Sequence, residues 1–256
     1  MINIYSRAIV RRPCAEIING LTSANLGKPD YQKALLQHDN YIESLKSCGL
    51  EVTILDADNR YPDSTFVEDT ALLTPDCAII TIPGVSSRQG ETEEIATVLN
   101  EIYTNVEFIK PPGMIEGGDI MMVGSHFYIG LSQRTNRDGA EQMINILRRY
   151  GMNSSLIKLK NVLHLKTGLS YLENNNLLAA GELAEKKDFE KFNIIPVFDD
   201  ENYAANSVWI NGRVIMPAGF PRTKEAIKNA GYETVEVNTS EFRKIDGGIS
   251  CLSLRF

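Results

Sequence analysis

The chain has 256 residues, 43% of them hydrophobic and 23% charged, with a formal net charge of −7 at pH 7. This excludes an intrinsically disordered chain and argues against nonspecific binding to nucleic acid or to an anionic membrane surface, while favouring a cationic ligand. The apolar runs are short and strand-like, the start Met1-Ile2-Asn3-Ile4-Tyr5-Ser6-Arg7 lacks a basic-then-apolar leader pattern, and Cys14, Cys48, Cys77 and Cys251 form no C-x-x-C pair, so a cytoplasmic chain with reduced thiols and no structural zinc is expected.

In chain order, a strand from Asn3 to Arg11 leads to a helix from Asp30 to Cys48. Tyr31, Leu35, Ile42 and Leu45 form its apolar stripe and Gly49 its stop, which leaves His38 as an expected surface residue. A strand over Glu51 to Leu55 and a turn-rich segment, Asp56 to Ser64, follow. From there a pattern of two short apolar strands, a helix and a further strand repeats. The first copy is Glu68 to Leu73, Ala78 to Thr81, a helix from Gly90 to Tyr103, and Val106 to Ile109. The second is Asp119 to Val123, a turn holding His126, Phe127 to Gly130, a helix from Asn136 to Tyr150, and Ser154 to Leu159. The third opens at Leu169 to Leu172 and the fourth at Ser207 to Ile210, whose Asn211-Gly212 is a strong hairpin signal. A fifth copy opens at Gly248 and runs out after one strand.

The lead-ins Asp69, Asp119, Gly168, Asn206 and Gly248 lie 50, 49, 38 and 42 residues apart. The parts missing from the fifth copy stand at the other terminus. The expected fold is therefore α/β: a single domain over residues 1–256, built as a five-bladed pseudo-symmetric propeller of ββαβ modules, its ring closed by the N- and C-terminal strands. Asp63, Glu68 and Asp69, then Glu116 and Asp119, then His164, then Cys251 all occupy the same phase of the repeat. On a closed ring such positions converge on one mouth of the axis. A thiol, an imidazole and a carboxylate meeting there are the parts of a nucleophilic cysteine site. His164 is the best acid/base candidate of the three histidines.

Phe66-Val67-Glu68-Asp69, Glu116-Gly117-Gly118-Asp119, Leu163-His164-Leu165-Lys166-Thr167-Gly168, Asn206 and Asp246-Gly247-Gly248-Ile249-Ser250-Cys251 together resemble the dimethylarginine dimethylaminohydrolase family, in its bacterial form. The likeness covers essentially the whole chain, including Gly20-Leu21-Thr22-Ser23 and Lys28-Pro29-Asp30-Tyr31. That family belongs to the guanidine-modifying superfamily of five-bladed α/β propellers. The resemblance implies cofactor-free and metal-free hydrolysis of N-ω-methylated arginines to citrulline and a methylamine. Carried onto this chain, it makes Cys251 the nucleophile, His164 the general acid/base and Glu116 the carboxylate that orients it. Asp69 and Glu116 would flank the guanidinium with Glu68 and Phe66 nearby, Asp63 and the backbone of Leu21 and Ile245 would hold the α-amino group, and Arg88 and Arg134 would clamp the α-carboxylate. The expected partners are this small-molecule substrate and, as a homodimer, a second copy of the chain. An arginine deiminase, which uses the same chemistry on unmethylated guanidine, and a non-catalytic propeller are the alternatives. The first is disfavoured by the short connections between modules and the second by the intact Cys251, His164 and Glu116.

Overall fold

The computed structural model describes residues 5–256. Among the described residues fifteen strands form five three-stranded sheets, each an antiparallel pair followed by a parallel one. In the first module β3 (Ala71–Leu73) pairs antiparallel with β4 (Ala78–Ile80), which pairs parallel with β5 (Val106–Phe108). The second has β6 (Ile120–Val123), β7 (His126–Leu131) and β8 (Asn153–Lys158), the third β9 (Leu169–Tyr171), β10 (Asn176–Ala180) and β11 (Asn193–Val197), and the fourth β12 (Val208–Ile210), β13 (Arg213–Pro217) and β14 (Glu233–Val237). The fifth sheet joins the chain ends: β15 (Leu254–Arg255) lies antiparallel to β1 (Arg7–Arg11), and β1 is parallel to β2 (Glu51–Leu55). The expected strand from Asn3 thus begins at Arg7, and Asn3 and Ile4 lie outside the described residues.

Local chemistry accounts for the element ends. The helix α1 (Tyr31–Ser47) starts where the Asp30 carboxylate accepts the Lys33 N–H, and α3 (Arg137–Arg149) where Asn136 caps Gly139. Asn211 and Gly212, at φ 49° and 94°, make the two-residue hairpin turn that only such residues allow cheaply. The crossover of the first module is α2 (Thr92–Ile102) and of the fourth α4 (Pro221–Asn229). The third module departs from the expected ββαβ pattern, because its crossover holds only two 3-10 turns, Gly181–Leu183 and Lys187–Phe189. Leu183 and Phe189 are fully buried there and take the place of a helix face.

The core is a ring of five apolar clusters, each seated between two successive modules. Leu72 and Ile79 meet Ile120 and Phe127; Met121 and Tyr128 meet Leu169 and Leu177; Leu172 and Leu178 meet Val214 and Met216. Val208 and Ile215 meet Val10 and Tyr41, and Ile9 with Leu254 meets Ala71 and Ile80. Every module therefore packs on both neighbours, and the propeller closes. His38 is wholly buried rather than at the surface, in tilted contact with Phe242. The residues buried along α1 are Ala34, Gln37, His38, Tyr41, Ile42 and Leu45, so spacings of three and four put His38 on the inner stripe. His126 is the first residue of β7 rather than part of the turn. Among the described residues no helix is long and apolar enough to cross a membrane.

Candidate active site

The first strands of the modules are preceded by 3-10 turns that crowd around the axis: Val67–Thr70, Gly117–Asp119, Leu165–Thr167, Asp199–Ala205 and Ser250–Leu252. Glu68 and Asp69, expected just ahead of the first strand of their module, stand in such a turn, and so does Cys251, expected in the opening strand of the fifth. Neighbouring turns are bonded together. Asp69 Oδ1 accepts from Gly118 N at 3.0 Å, Asp119 Oδ1 from Leu165 N at 2.9 Å, and Asn206 Oδ1 from Ser250 N at 2.8 Å. Gly118 has to be glycine, since a Cβ would lie 2.9 Å from Asp69 Oδ1 and 3.0 Å from the His164 ring. At Gly247 a Cβ would meet the Phe66 ring at 2.2 Å.

His164 Nε2 and Glu116 Oε2 are 2.5 Å apart, and the other oxygen, Oε1, accepts the Gly84 N–H at 2.9 Å. Glu116 is fully buried, and Arg134 Nη1 lies 3.7 Å from its Oε1. Burial pushes the Glu116 carboxyl up, but the His164 bond and charge, with Arg88 and Arg134, outweigh it and hold the group below its usual range. Burial works against the imidazolium of His164, yet Asp69, the Glu116 bond and Asp119 prevail and raise it to about 9. At neutral pH the pair is therefore imidazolium and carboxylate. Cys251 is pushed up to about 12, by burial first and then by Glu68 and Asp69, against the Gly248 N–H and Lys166. Its Sγ accepts from Gly248 N at 3.4 Å, and at rest it is a neutral thiol.

One cleft is lined by Cys251, His164, Asp69, Asp63, Phe66, Arg88, Arg134, Leu21 and Ile245, nine of the residues expected in the site, with Glu116 directly behind His164. Arg88 is buried and donates to Asp69 Oδ2 at 2.8 Å, to both Glu91 oxygens and to the Phe66 carbonyl. Asp63 accepts the Leu21 N–H, at 3.1 Å to Oδ1, and burial raises its carboxyl. The side chain of Glu68 is not brought to this cleft. It faces a second cavity and bonds Lys166 at 2.7 Å, Arg255 at 2.8 Å and Ser250 Oγ at 2.7 Å. A 3-10 turn advances about 120° per residue, so Glu68 and Asp69 diverge.

The sequence reading missed Leu163, Asp246 and Gly247 in the cleft wall. Asp246, at φ 59°, accepts the Ser23 N–H at 2.5 Å, the Ser23 hydroxyl at 2.9 Å and the Ala24 N–H at 3.1 Å. These bonds tie Ser23 and Ala24 down beside Leu21, so that residues 20–24 form a strap at the rim of the cleft, whose room is about 30 Å3, enough for a water or two. An Asp before two glycines was the available signal. Donor atoms of Asp69, Glu116 and His164 lie within 4.8 Å of one another. The set suits a metal poorly, because the imidazolium offers no lone pair and Arg88 already neutralises Asp69.

A family model described as N,N dimethylarginine dimethylhydrolase, eukaryotic, matches residues 23–182. The N(G),N(G)-dimethylarginine dimethylaminohydrolase of Pseudomonas aeruginosa is 57% identical over 254 residues, which are 99% of this chain and 100% of that protein. Among solved structures, a cysteine-to-serine variant of the Pseudomonas aeruginosa enzyme complexed with citrulline matches with a TM-score of 0.97 at 57% identity, over 98% of this chain and 99% of its own. A histidine-to-glycine dimethylarginine dimethylaminohydrolase in adduct with S-methyl-L-thiocitrulline matches at 0.98 and 57%, over 99% and 100%. With five sheets closed into a ring and likeness along its full length, the chain belongs to the dimethylarginine dimethylaminohydrolase family.

Proposed function

We propose that the chain hydrolyses N-ω-methylated L-arginines to L-citrulline and dimethylamine or methylamine, with residues 1–256 acting as one catalytic unit in the cytoplasm. The observation that carries this reading is the buried His164–Glu116 ion pair, at 2.5 Å, in one cleft with Cys251 and Asp69. A guanidinium is planar and always charged, so it takes its place against the Asp69 and Glu116 carboxylates, while Arg88 and Arg134 receive the α-carboxylate and Asp63 with the Leu21 and Ile245 backbone receives the α-amino group.

The resting thiol is too weakly acidic to supply the attacking thiolate, and the substrate itself corrects this. Its cation, set beside Sγ, lowers the thiol as Lys166 already does in part, and the proton leaves to solvent. Cys251 Sγ then bonds the guanidinium carbon, and the C=N electron pair moves onto nitrogen. His164 gives a proton from the ring nitrogen not held by Glu116 to the methylated nitrogen, and the C–N bond breaks to release the amine. A thiouronium on Cys251 remains. Water attacks its carbon with His164 taking one proton, and collapse expels the Cys251 thiolate while the remaining hydroxyl proton passes to solvent, which leaves citrulline. Each step uses only groups of the chain and water.

Citrulline release measured in parallel from asymmetric dimethylarginine, monomethylarginine, arginine and agmatine tests this reading. The two methylated substrates are expected to lead in kcat/KM. Arginine as the best substrate would instead favour the deiminase reading.

A further inference from the structure

The turn that carries the nucleophile is poorly self-supported. Within Ser250–Leu252 and its lead-in, the helical bonds are Cys251 N to Gly248 O at 3.2 Å, at the upper end of the normal range, and Leu252 N to Ile249 O at 3.4 Å, beyond it. Two glycines precede it. Asn206 Oδ1 holds the Ser250 N–H at 2.8 Å, and the remaining support comes from the far side. Arg255 Nη1 donates to the carbonyls of Ser250 at 3.1 Å and Ser253 at 2.9 Å, which bracket Cys251, and to Ser253 Oγ at 2.7 Å. Its Nη2 donates to Glu68 Oε1 at 2.8 Å, and Glu68 in turn accepts from Ser250 Oγ and from Lys166, two residues beyond His164. Tyr41 Oη and Ser253 Oγ lie 2.6 Å apart. Arg255, Glu68 and Lys166 line the second cavity, on the side of these turns away from the catalytic cleft.

We propose that Arg255 is the positioning residue of the nucleophile, a clasp that fixes the Ser250–Ser253 segment and so the placement of the Cys251 thiol, while it neutralises Glu68 together with Lys166. The assignment rests on Cys251 being the nucleophile. Nη1 meets the three acceptors on one segment while Nη2 reaches the carboxylate beyond it; an ammonium is a point charge with a shorter span and cannot hold both ends of this bridge. Glu68 is also one of the charges that raise the thiol, so the clasp acts on Cys251 in two separable ways, by placement and by charge. Asp69 also raises the thiol and Lys166 lowers it, and His164, Asp63, Arg88, Arg134 and Asp246 are the further charged groups of its cleft, all left in place by the Arg255 variants.

The test compares Arg255→Met, Arg255→Lys and Ser253→Ala in the whole chain. Three quantities are read: kcat and KM on asymmetric dimethylarginine, the pH dependence of iodoacetamide labelling at the Cys251 peptide, and the melting temperature. Arg255→Met is expected to lose about 100-fold in kcat, the cost of a misplacement of about 1 Å, with KM changed less than about 3-fold. Its labelling curve moves to higher pH. Arg255→Lys keeps the charge, so the labelling curve returns to the native position while kcat stays down about 10-fold. Should Arg255→Met fail to fold, Arg255→Lys and Ser253→Ala decide, each expected to lower kcat with an unchanged KM. A folded variant with native kcat and only a lower melting temperature would overturn the proposal, as would a loss carried by KM alone. Labelled native protein separates the two readings: if it still releases citrulline, the nucleophile assignment fails whatever the Arg255 variants do.

Discussion

At the scale of single residues, side chains that touch and side chains that are missing matter equally. His164 can approach Asp69 and Glu116 because Gly118 carries nothing that would meet its ring. That Cys251, His164, Glu116 and Asp69 converge was legible in the sequence, since each stands in a short motif at one phase of the repeat, whereas Arg88 stands outside that phase and came only from the family resemblance. The direction of Glu68 was not, because neighbours in a 3-10 turn point apart and no pattern in the residue string reveals a turn of that pitch. Arg134, partly exposed beside Glu116, offers a test of substrate recognition. Arg134→Ala is expected to lower kcat/KM on dimethylarginine by about 2–4 kcal/mol, or roughly 30- to 1000-fold, through loss of a charge-assisted clamp. The loss on agmatine, which has no carboxylate, should be smaller, so the ratio of the two values contracts. A disturbance acting only through Glu116 and His164 would lower both equally, and an unchanged ratio would place carboxylate recognition elsewhere.

At the scale of elements, the hairpins and three of the crossovers followed from turn chemistry and caps, whereas the third crossover had no helical period and folds as 3-10 turns around Leu183 and Phe189. The strap of residues 20–24 could not be read as a closure, because its fastenings, Asp63 on the Leu21 N–H and Asp246 on Ser23 and Ala24, stand 42 and more than 200 positions away in sequence. Asp246 accepts three hydrogen bonds from it. In Asp246→Asn one acceptor becomes a donor facing donors, which costs about 1.5–3 kcal/mol. Limited proteolysis within the strap should accelerate roughly 10- to 100-fold and KM should rise, with the melting temperature little changed. Native proteolysis and KM would show that the strap is held by other contacts.

At the scale of the molecule, ring closure was visible because the chain ends each hold part of one module, and the five apolar clusters between modules give that pattern its energetic basis. His38 belongs to this level, at the seam where α1 meets Phe242. Neither ring nitrogen has a hydrogen-bond partner among the described residues, and burial first, then Arg12, lowers the group to about 4 despite Asp39. Its folded pKa lies below the unfolded one, so the unfolded chain takes up a proton that the fold refuses. Stability is unaffected above pH about 6.5 and falls as pH drops towards 4, by about 3 kcal/mol in all. His38→Leu, of similar volume and without polar atoms, should melt higher at every pH and flatten the decline between pH about 6.5 and 4. An unaltered decline would assign the acid sensitivity to other groups.

The central claim is a covalent intermediate on Cys251 that His164 helps to form and then to hydrolyse. The most direct measurement is mass spectrometry of acid-quenched His164→Gly protein supplied with S-methyl-L-thiocitrulline, whose thiolate leaves without a proton from His164. A stable adduct is expected on the peptide containing Cys251, absent from the peptides of Cys14, Cys48 and Cys77, with no adduct in the double variant that also carries Cys251→Ser. Undiminished citrulline release by that double variant, or an adduct on any other residue, would contradict it.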